Sequence, residues 1–540
     1  MKETIIAKFE RQFRAHADKL ALTDYSTKED RTYLKLAENI ARYHVFFDNA
    51  GINRGDKIAL MCENSTPFIT AYIAIISYGA VAVPILPGFN PIDAAYVINH
   101  SDSRILVVDD HIWEKLKGSE FEHLEAVLNP RGAKAYMTRS EKMRVAYDNL
   151  FDDFDRRYPD GFTVDDIKYA PIDDQDIMVI SYTSGTTGNP KGVMLTGECI
   201  YINAQIGDDW NFYPEGTNTL DVLPLAHSYA AIYDMISPLS MGAHITVLGR
   251  TPAPTILMQA LAVVKPKIFF IVPLLIEKVV KANFLPLVGK VPNEVLREKL
   301  VGVLGGNLEQ LMIGGAPLDP TVEQFLRDIK LLYTVGYGMT EVGPLIGFTP
   351  CQDFKQGSTG KLVPALKLKL INKNAQGIGE VLVKGAPVMR GYYKNPEATA
   401  MAIDAEGWLH TGDMGYVDDD MNITLVGRCK SMILGAGGQN IYPEEIEFKL
   451  NRMPLVAESI VYDAEGVLKA LVVPNLDEAQ KSGLDLEKVK EIMLKNMEET
   501  NAKIGSYEQL REIVLCAEPF VKTAKGSIKR FLYPQNAKLM

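Results

Sequence analysis

The residues most able to do chemistry lie together in Tyr182-Thr-Ser-Gly-Thr-Thr-Gly-Asn-Pro-Lys-Gly192. Gly185, Gly188 and Gly192 let backbone amides approach an anion. Thr183, Ser184, Thr186 and Thr187 add hydroxyl donors, and Lys191 adds positive charge. Such a turn is suited to cradling phosphate. It is not the GK[ST] phosphate loop, because Lys191 follows Pro190 and precedes Gly192. A surface linker can share the Ser/Thr/Gly composition, but Pro and Lys set between glycines over eleven residues argue against one.

Four further candidates are weak singly. Thr340 and Glu341 follow Gly336-Tyr-Gly-Met339; alone, such a pair reads as a helix cap with an exposed acid. Asp413 follows Gly412 and by itself reads as a turn aspartate. His227 has apolar residues before it and aromatic ones after; a lone histidine there is most often a hydrogen-bonded core residue. The cluster Lys522, Lys525, Lys529 and Arg530 reads as a solvated basic tail.

The elements that must position these residues alternate between helix and strand. Residues 37–44 read as an amphipathic helix, Lys57-Ile-Ala-Leu-Met as a buried strand, residues 68–78 as a helix and Ala80-Val-Ala-Val-Pro as a strand. Arg104-Ile-Leu-Val-Val, Ala243-His-Ile-Thr-Val-Leu and Lys267-Ile-Phe-Phe-Ile-Val continue the rhythm, which predicts an α/β fold of layered subdomains. Near Ser358 the period becomes two, as in Leu366-Lys-Leu-Lys-Leu-Ile and Gly379-Glu-Val-Leu-Val-Lys-Gly. That predicts a β-rich subdomain over about 350–427. Residues 428–540 carry sixteen basic and sixteen acidic side chains, so the whole net charge of −11 lies in 1–427. The expectation is a large domain over 1–427 and a small α+β cap over 428–540.

At 540 residues the chain exceeds what one core supports, and its 47% hydrophobic and 23% charged content is ordinary for globular proteins. The negative balance speaks against nucleic acid as a partner. The five scattered cysteines form no CxxC pair, and a reduced, cytoplasmic setting is expected. No unbroken apolar run reaches the ~17 residues of a spanning helix. Association with a membrane surface and pairing into a homodimer stay open.

The loop at 182–192 resembles the signature of the adenylate-forming enzymes, which include acyl-CoA synthetases, peptide-synthetase adenylation domains and beetle luciferases. Leu223-Pro-Leu-Ala-His-Ser-Tyr229, Gly314-Gly-Ala-Pro317, Gly336-Tyr-Gly-Met-Thr-Glu341, Gly407-Trp-Leu-His-Thr-Gly-Asp413, Gly427-Arg-Cys-Lys430 and Asn440-Ile-Tyr-Pro-Glu-Glu445 resemble its later motifs, in order. The resemblance runs from about Thr32 to Tyr533, and bacterial fatty-acid ligases are the most similar group. It implies the substrates ATP, a fatty acid and coenzyme A, with Mg²⁺ as cofactor. A carboxylate attacks the α-phosphate, and a thiol then displaces AMP. It implies that Glu341 and Thr183 hold the Mg²⁺, that Lys191 adds charge at the phosphates and that Thr340 belongs to the catalytic set. Residues 184–188 wrap the phosphates, Tyr337 stacks on adenine within Gly336–Met339, and Gly315, Ala316 and Pro317 line the other face. Asp413 accepts the ribose hydroxyls, since a carboxylate can accept two donors. Arg428 also contacts ribose. His227 sits beside the acyl carboxylate, Lys430 is the hinge of a mobile cap, and Gly437 and Gly438 pass close to the pantetheine arm.

One position departs from the family pattern. In Phe520-Val-Lys-Thr-Ala-Lys-Gly-Ser-Ile-Lys-Arg530, Ser527 stands where the family has a lysine that bridges carboxylate and α-phosphate. A short neutral hydroxyl cannot supply that charge. Lys525 or Lys529 reaches the site instead, or adenylation is weakened, or the natural lysine has been changed. The expectation is a ligase joining a medium- or long-chain fatty acid to coenzyme A. The alternatives are a ligase that loads a carrier protein and a binding homologue weakened in catalysis.

Overall fold

Strands that are apolar on both faces form the centre of an eight-stranded sheet, because only a parallel layer covered on both sides buries such runs completely. The computed structural model describes residues 3–132, 134–183, 189–214, 216–249, 254–434, 440–464, 466–505, 508–523 and 526–540. The strand order is Gly391–Tyr392, Lys191–Thr196, Ile177–Thr183, Val81–Pro84, Lys57–Met61, Ser103–Val108, Ala126–Leu128 and Ala135–Thr138. The inner strands run parallel, whereas Lys191–Thr196, Gly391–Tyr392 and Ala135–Thr138 pair antiparallel at the edges.

The helix Thr66–Tyr78 shows how the sequence ends an element. Ser65 caps its start by accepting from the Phe68 amide, Pro67 fits the first turn, and Gly79 closes the end in a left-handed conformation at φ 90°. Twelve of its thirteen residues are buried, so it packs as a core helix. The amphipathic helix expected at 37–44 lies inside Tyr33–Ala50.

A second, five-stranded sheet orders Ile268–Ile271, Gln310–Gly314, Tyr333–Gly338, Leu345–Phe348 and Lys361–Leu362. A third joins Asn218–Asp221, His244–Val247, Leu20–Asp24 and Asp30–Thr32, so the amino-terminal strand pairs with a strand more than 200 residues later. The period-two segments form an antiparallel sheet of Leu366–Ile371, Gly379–Gly385, Leu409–Val417 and Ile423–Arg428.

One hydrophobic core runs from Ile5 to Ile423. Separate clusters hold the carboxy-terminal part, between Ile441 and Leu515 and between Ile460 and Phe520. There Val456–Ala464, Val467–Pro474 and Glu512–Leu515 form a mixed sheet beside helices Pro443–Leu450 and Leu486–Asn501. Arg452 ties this part to the rest through Asp319, with Nε to Oδ2 at 2.7 Å; Lys281 reaches the same oxygen at 2.7 Å. All five cysteines are free. No helix among the described residues is long and apolar enough to cross a membrane.

Candidate active site

The hairpin formed by Ile177–Thr183 and Lys191–Thr196 sets Thr183 directly opposite Lys191. Residues 184–188, which join these strands in the sequence, lie outside the described residues. Gly192 is required by packing: a Cβ there would stand 2.8 Å from Ile180 Cγ2 and 2.9 Å from Tyr182 Cζ.

The edge strand Gly391–Tyr392 pairs with this hairpin, Tyr392 opposite Val193. It carries Tyr392 between the two chemical elements of the site. The Lys191 ammonium lies 5.2 Å from the centre of the Tyr392 ring, and the Tyr392 hydroxyl donates to Glu341 Oε1 at 2.9 Å. Burial, reinforced by the Glu341 charge, pushes the Tyr392 phenol far above its ordinary range, so it remains a donor. Thus Lys191 and Glu341 flank one ring.

Glu341 sits in the 3₁₀ turn Thr340–Val342, and both Thr340 and Glu341 are buried. The turn is clamped from below by Asn203 on the helix Gly197–Asp209. Its side-chain amide donates to Val342 O at 3.0 Å and accepts from the Leu345 amide at 3.0 Å. Glycine is needed at both ends of the turn. A Cβ on Gly338 would stand 2.1 Å from Pro344 O, and one on Gly343 (φ +60°) would stand 2.3 Å from Cys199 Sγ. Asn203 and Tyr392 carried no signal in the sequence; each acquires its role through a contact far along the chain.

The same sheet places the nucleotide-side candidates. Gly314 pairs with Gly336 in parallel register, which brings Gly315, Ala316 and Pro317, all exposed, beside Gly336–Met339. Tyr337 is buried, and its hydroxyl donates to Asp413 Oδ2 at 2.7 Å. Arg428, opposite Asp413 in the ladder, pairs through Nε with Oδ1 at 2.9 Å and donates to Thr411 O at 3.3 Å. Burial raises the Asp413 carboxyl above its ordinary value. Arg428 and Tyr337 pull it down, while Glu341 lies close enough to push it further up. Glu341 and Asp413 therefore share one electrostatic neighbourhood.

His227 opens the short helix Ser228–Ala230, and its Nδ1 accepts the Tyr229 amide at 3.3 Å. Tyr229 packs edge-on against Tyr233 and Phe270, and its ring would meet a Cβ on Gly314 at 3.1 Å. The acyl and adenine candidates are thus adjacent walls. Ser181, Leu195, Ala226, Ser228, Ala231 and Gly343 help to line a cavity of about 10 Å³ between the phosphate hairpin and the Glu341 turn.

Among the described residues no group of three or more His, Cys, Asp or Glu could hold a metal ion by itself. Glu341 offers one carboxylate, bonded to the ring that Lys191 flanks, and Thr183 lies opposite Lys191 in the hairpin. That fits a Mg²⁺ ion held mainly by phosphate oxygens, the usual mode for this cation.

The carboxy-terminal candidates are not joined to this group. Lys430 is exposed in the 3₁₀ turn Cys429–Ser431. Lys525, Gly437 and Gly438 lie outside the described residues. Ser527 and Lys529 belong to a hairpin held within its own part of the chain: the Thr523 amide donates to Ser527 O at 2.8 Å, and that of Lys529 to Val521 O at 2.8 Å. Lys522 pairs with Glu458, and Arg530 with Glu447. Among the described residues no hydrogen bond or ion pair joins Ser527 or Lys529 to Glu341 or Asp413.

A family described as AMP-binding enzyme matches residues 9–393. The long-chain-fatty-acid–CoA ligase FadD15 of Mycobacterium bovis (strain ATCC BAA-935 / AF2122/97) is 28% identical over 82% of this chain and 77% of that protein. The 4-coumarate-CoA ligase 1 of Narcissus pseudonarcissus is 30% identical over 82% of this chain and 79% of its own. The long-chain-fatty-acid–CoA ligase ACSBG1 of Rattus norvegicus is 26% identical over 79% of this chain, which spans 64% of its length. The anthranilate CoA ligase AuaEII, solved with anthranoyl-AMP, superposes with TM-score 0.77 at 22% identity over 99% of this chain and 97% of its own.

Proposed function

Since the chain belongs to the AMP-binding enzyme family, we propose that it joins a medium- or long-chain fatty acid to coenzyme A through an acyl-adenylate, releasing AMP and pyrophosphate. The observation that carries the reading is the Lys191–Tyr392–Glu341 arrangement, one electrostatic neighbourhood with Asp413. The adenylate-forming fold, seen in AuaEII and its like, suits that chemistry.

In this reading Asp413 accepts the ribose hydroxyls, and the exposed Gly315–Ala316–Pro317 edge borders adenine. Lys191 and the 184–188 turn hold the phosphates. Glu341, with Thr183, would hold the Mg²⁺ that neutralises phosphate charge. The acid's carboxylate oxygen, positioned near His227, attacks the α-phosphorus as the bond to pyrophosphate breaks. His227 need not be a base there, since a carboxylic acid is already ionised near neutral pH. The thiolate sulfur of coenzyme A next attacks the acyl carbonyl, and AMP leaves with the bonding pair. Both steps spread negative charge over a fixed donor set, where positioned donors and cations act most strongly. The five free thiols suit a cytoplasmic enzyme acting on small molecules.

A second reading rests on Ser527, exposed and uncharged where the family's lysine would stand: the first step is weakened in this chain. Pyrophosphate release across fatty acids, with and without coenzyme A, separates the readings. AMP turnover that depends on coenzyme A supports the ligase. Adenylate without thioester points to a carrier-protein acceptor. No release in any mixture points to a binding protein and overturns the ligase.

A further inference from the structure

The two strands of the phosphate hairpin border a second cavity on their other face. Side chains alternate along a strand, and the paired strands Ile177–Thr183 and Lys191–Thr196 sort theirs accordingly. Val179, Ser181 and Leu195 help to line the small cavity beside the Glu341 turn. Ile180 and Met194, opposite each other in the ladder, line instead a cavity of about 320 Å³. That volume is within the range of small-ligand sites. Lys57, Val81 and Ile177, which also line it, each begin a strand, whereas Thr183 ends one. The cavity therefore lies toward the opposite end of the sheet from the candidate active site.

Its lining divides into an apolar floor and a cationic rim. Val81, Ile177, Ile180 and Met194 form the floor. On the rim, Arg54 crosses Gly79, where a Cβ would stand 3.1 Å from the Arg54 Nε. Arg54 donates to Pro171 O at 2.8 Å and lies 3.6 Å from Asp176 Oδ2, in a pair with both side chains more than half exposed. Asp176, an acid on the same rim, is thus engaged. Arg390 reaches Gln175, the residue before Asp176, at 3.0 Å. Lys57 is half-buried, its ammonium 5.5 Å from the centre of the Tyr393 ring, and it pairs with no carboxylate among the described residues. A half-buried ammonium without a counter-charge is unusual, since buried charges are ordinarily paired. Here it stands in a chain of net charge −11.

We propose that this cavity binds a single-chain amphiphile with an anionic head, the head on Lys57 and Arg54 and the chain on Ile177, Ile180 and Met194. The two charges reject a cationic head, and an inorganic anion leaves the apolar floor uncovered. The cavity backs directly onto the site. The Tyr393 amide donates to Gly192 O at 2.7 Å, and the preceding residue, Tyr392, bonds Glu341 and faces Lys191. An occupant therefore braces, from behind, the hairpin that carries Thr183 and Lys191.

The test titrates the full chain with octyl phosphate by calorimetry. Octan-1-ol, inorganic phosphate and octyltrimethylammonium are the controls, and each titration is repeated with saturating AMP to fill the proposed nucleotide site. Octyl phosphate is expected to bind at least tenfold more tightly than any control, with AMP present or absent. Lys57→Gln and Arg54→Gln should each weaken it by roughly tenfold or more, the scale of a lost hydrogen bond to a charged group. Amide hydrogen exchange over 177–183 and 191–196 should slow when the probe is bound. If Lys57→Gln does not fold, Arg54→Gln, on the exposed rim, carries the test. Binding no tighter than that of octan-1-ol, binding that both substitutions leave unchanged, or binding that AMP abolishes overturns the inference. So does binding that leaves exchange in both strands unaltered. None of these readouts uses turnover, so the ligase reading stands or falls separately.

Discussion

The Tyr392 hydroxyl donates to Glu341 Oε1 at 2.9 Å, although Tyr392 lies on the edge strand of the eight-stranded sheet and Glu341 in a turn between two strands of the five-stranded one. Through this bond the edge strand of the large sheet fixes the orientation of the carboxylate proposed to bind Mg²⁺, and the same ring faces Lys191. A hydrogen bond to a charged group contributes about 1.5–3 kcal/mol. Tyr392→Phe is therefore expected to lower kcat/KM for Mg·ATP by roughly tenfold to a hundredfold. Steady-state pyrophosphate release at varied Mg·ATP measures it; an unchanged value would show that Glu341 is held some other way.

Asp413 uses both oxygens at once, one toward Tyr337 and one toward Arg428. Asp413→Asn keeps the shape but leaves a single accepting oxygen. ATP should lose on the order of a hundredfold in kcat/KM, and dideoxy-ATP, which lacks the ribose diol, much less. The ratio between the two nucleotides is the measurement. If it stays as in the unaltered chain, Asp413 does not read the ribose.

Burial raises the Glu447 carboxyl to about 7, against the pull of Arg530. The folded chain thus binds a proton more tightly than the unfolded chain between the ordinary glutamate range and about 7. This contribution to stability is complete below the unfolded pKa and is lost as pH rises through about 7. Melting followed from pH 5 to 8 should show a decline on the order of a few degrees that Glu447→Gln flattens. Equal slopes in both proteins would mean that Glu447 does not titrate there.

Ser527→Lys restores the charge that the family pattern carries at this position. The first half-reaction is expected to rise by about tenfold or more, the scale of a positioned cation meeting phosphate charge. Single-turnover pyrophosphate release reads that step alone. A rate equal to that of the serine protein would mean that another group already supplies the charge.

The parts of this site that were legible in the sequence are those whose residue types announce local chemistry. Glycines and hydroxyls beside Lys191, the Thr340-Glu341 pair after a Gly-x-Gly turn, and Asp413 after Gly412 could be picked out, and their order carried the family resemblance. The buried strands at 57–61 and 103–108 were equally plain, because a parallel layer needs unbroken apolar runs. What stayed hidden depends on distant partners. Nothing near Tyr392 says that it will lie against Val193, and nothing near Asn203 says that its amide will hold both ends of the Glu341 turn.

The strand that completes the phosphate hairpin is supplied 199 positions after the residue it pairs with, Tyr392 against Val193. On a ribosome adding about 5–20 residues per second, that interval is roughly 10–40 s. Throughout it the nascent Lys191–Thr196 strand has an unguarded border, open to the wrong neighbour. Translation speed between these two points, and whatever shields that border meanwhile, thus belongs to the assembly of this enzyme as much as its final contacts do.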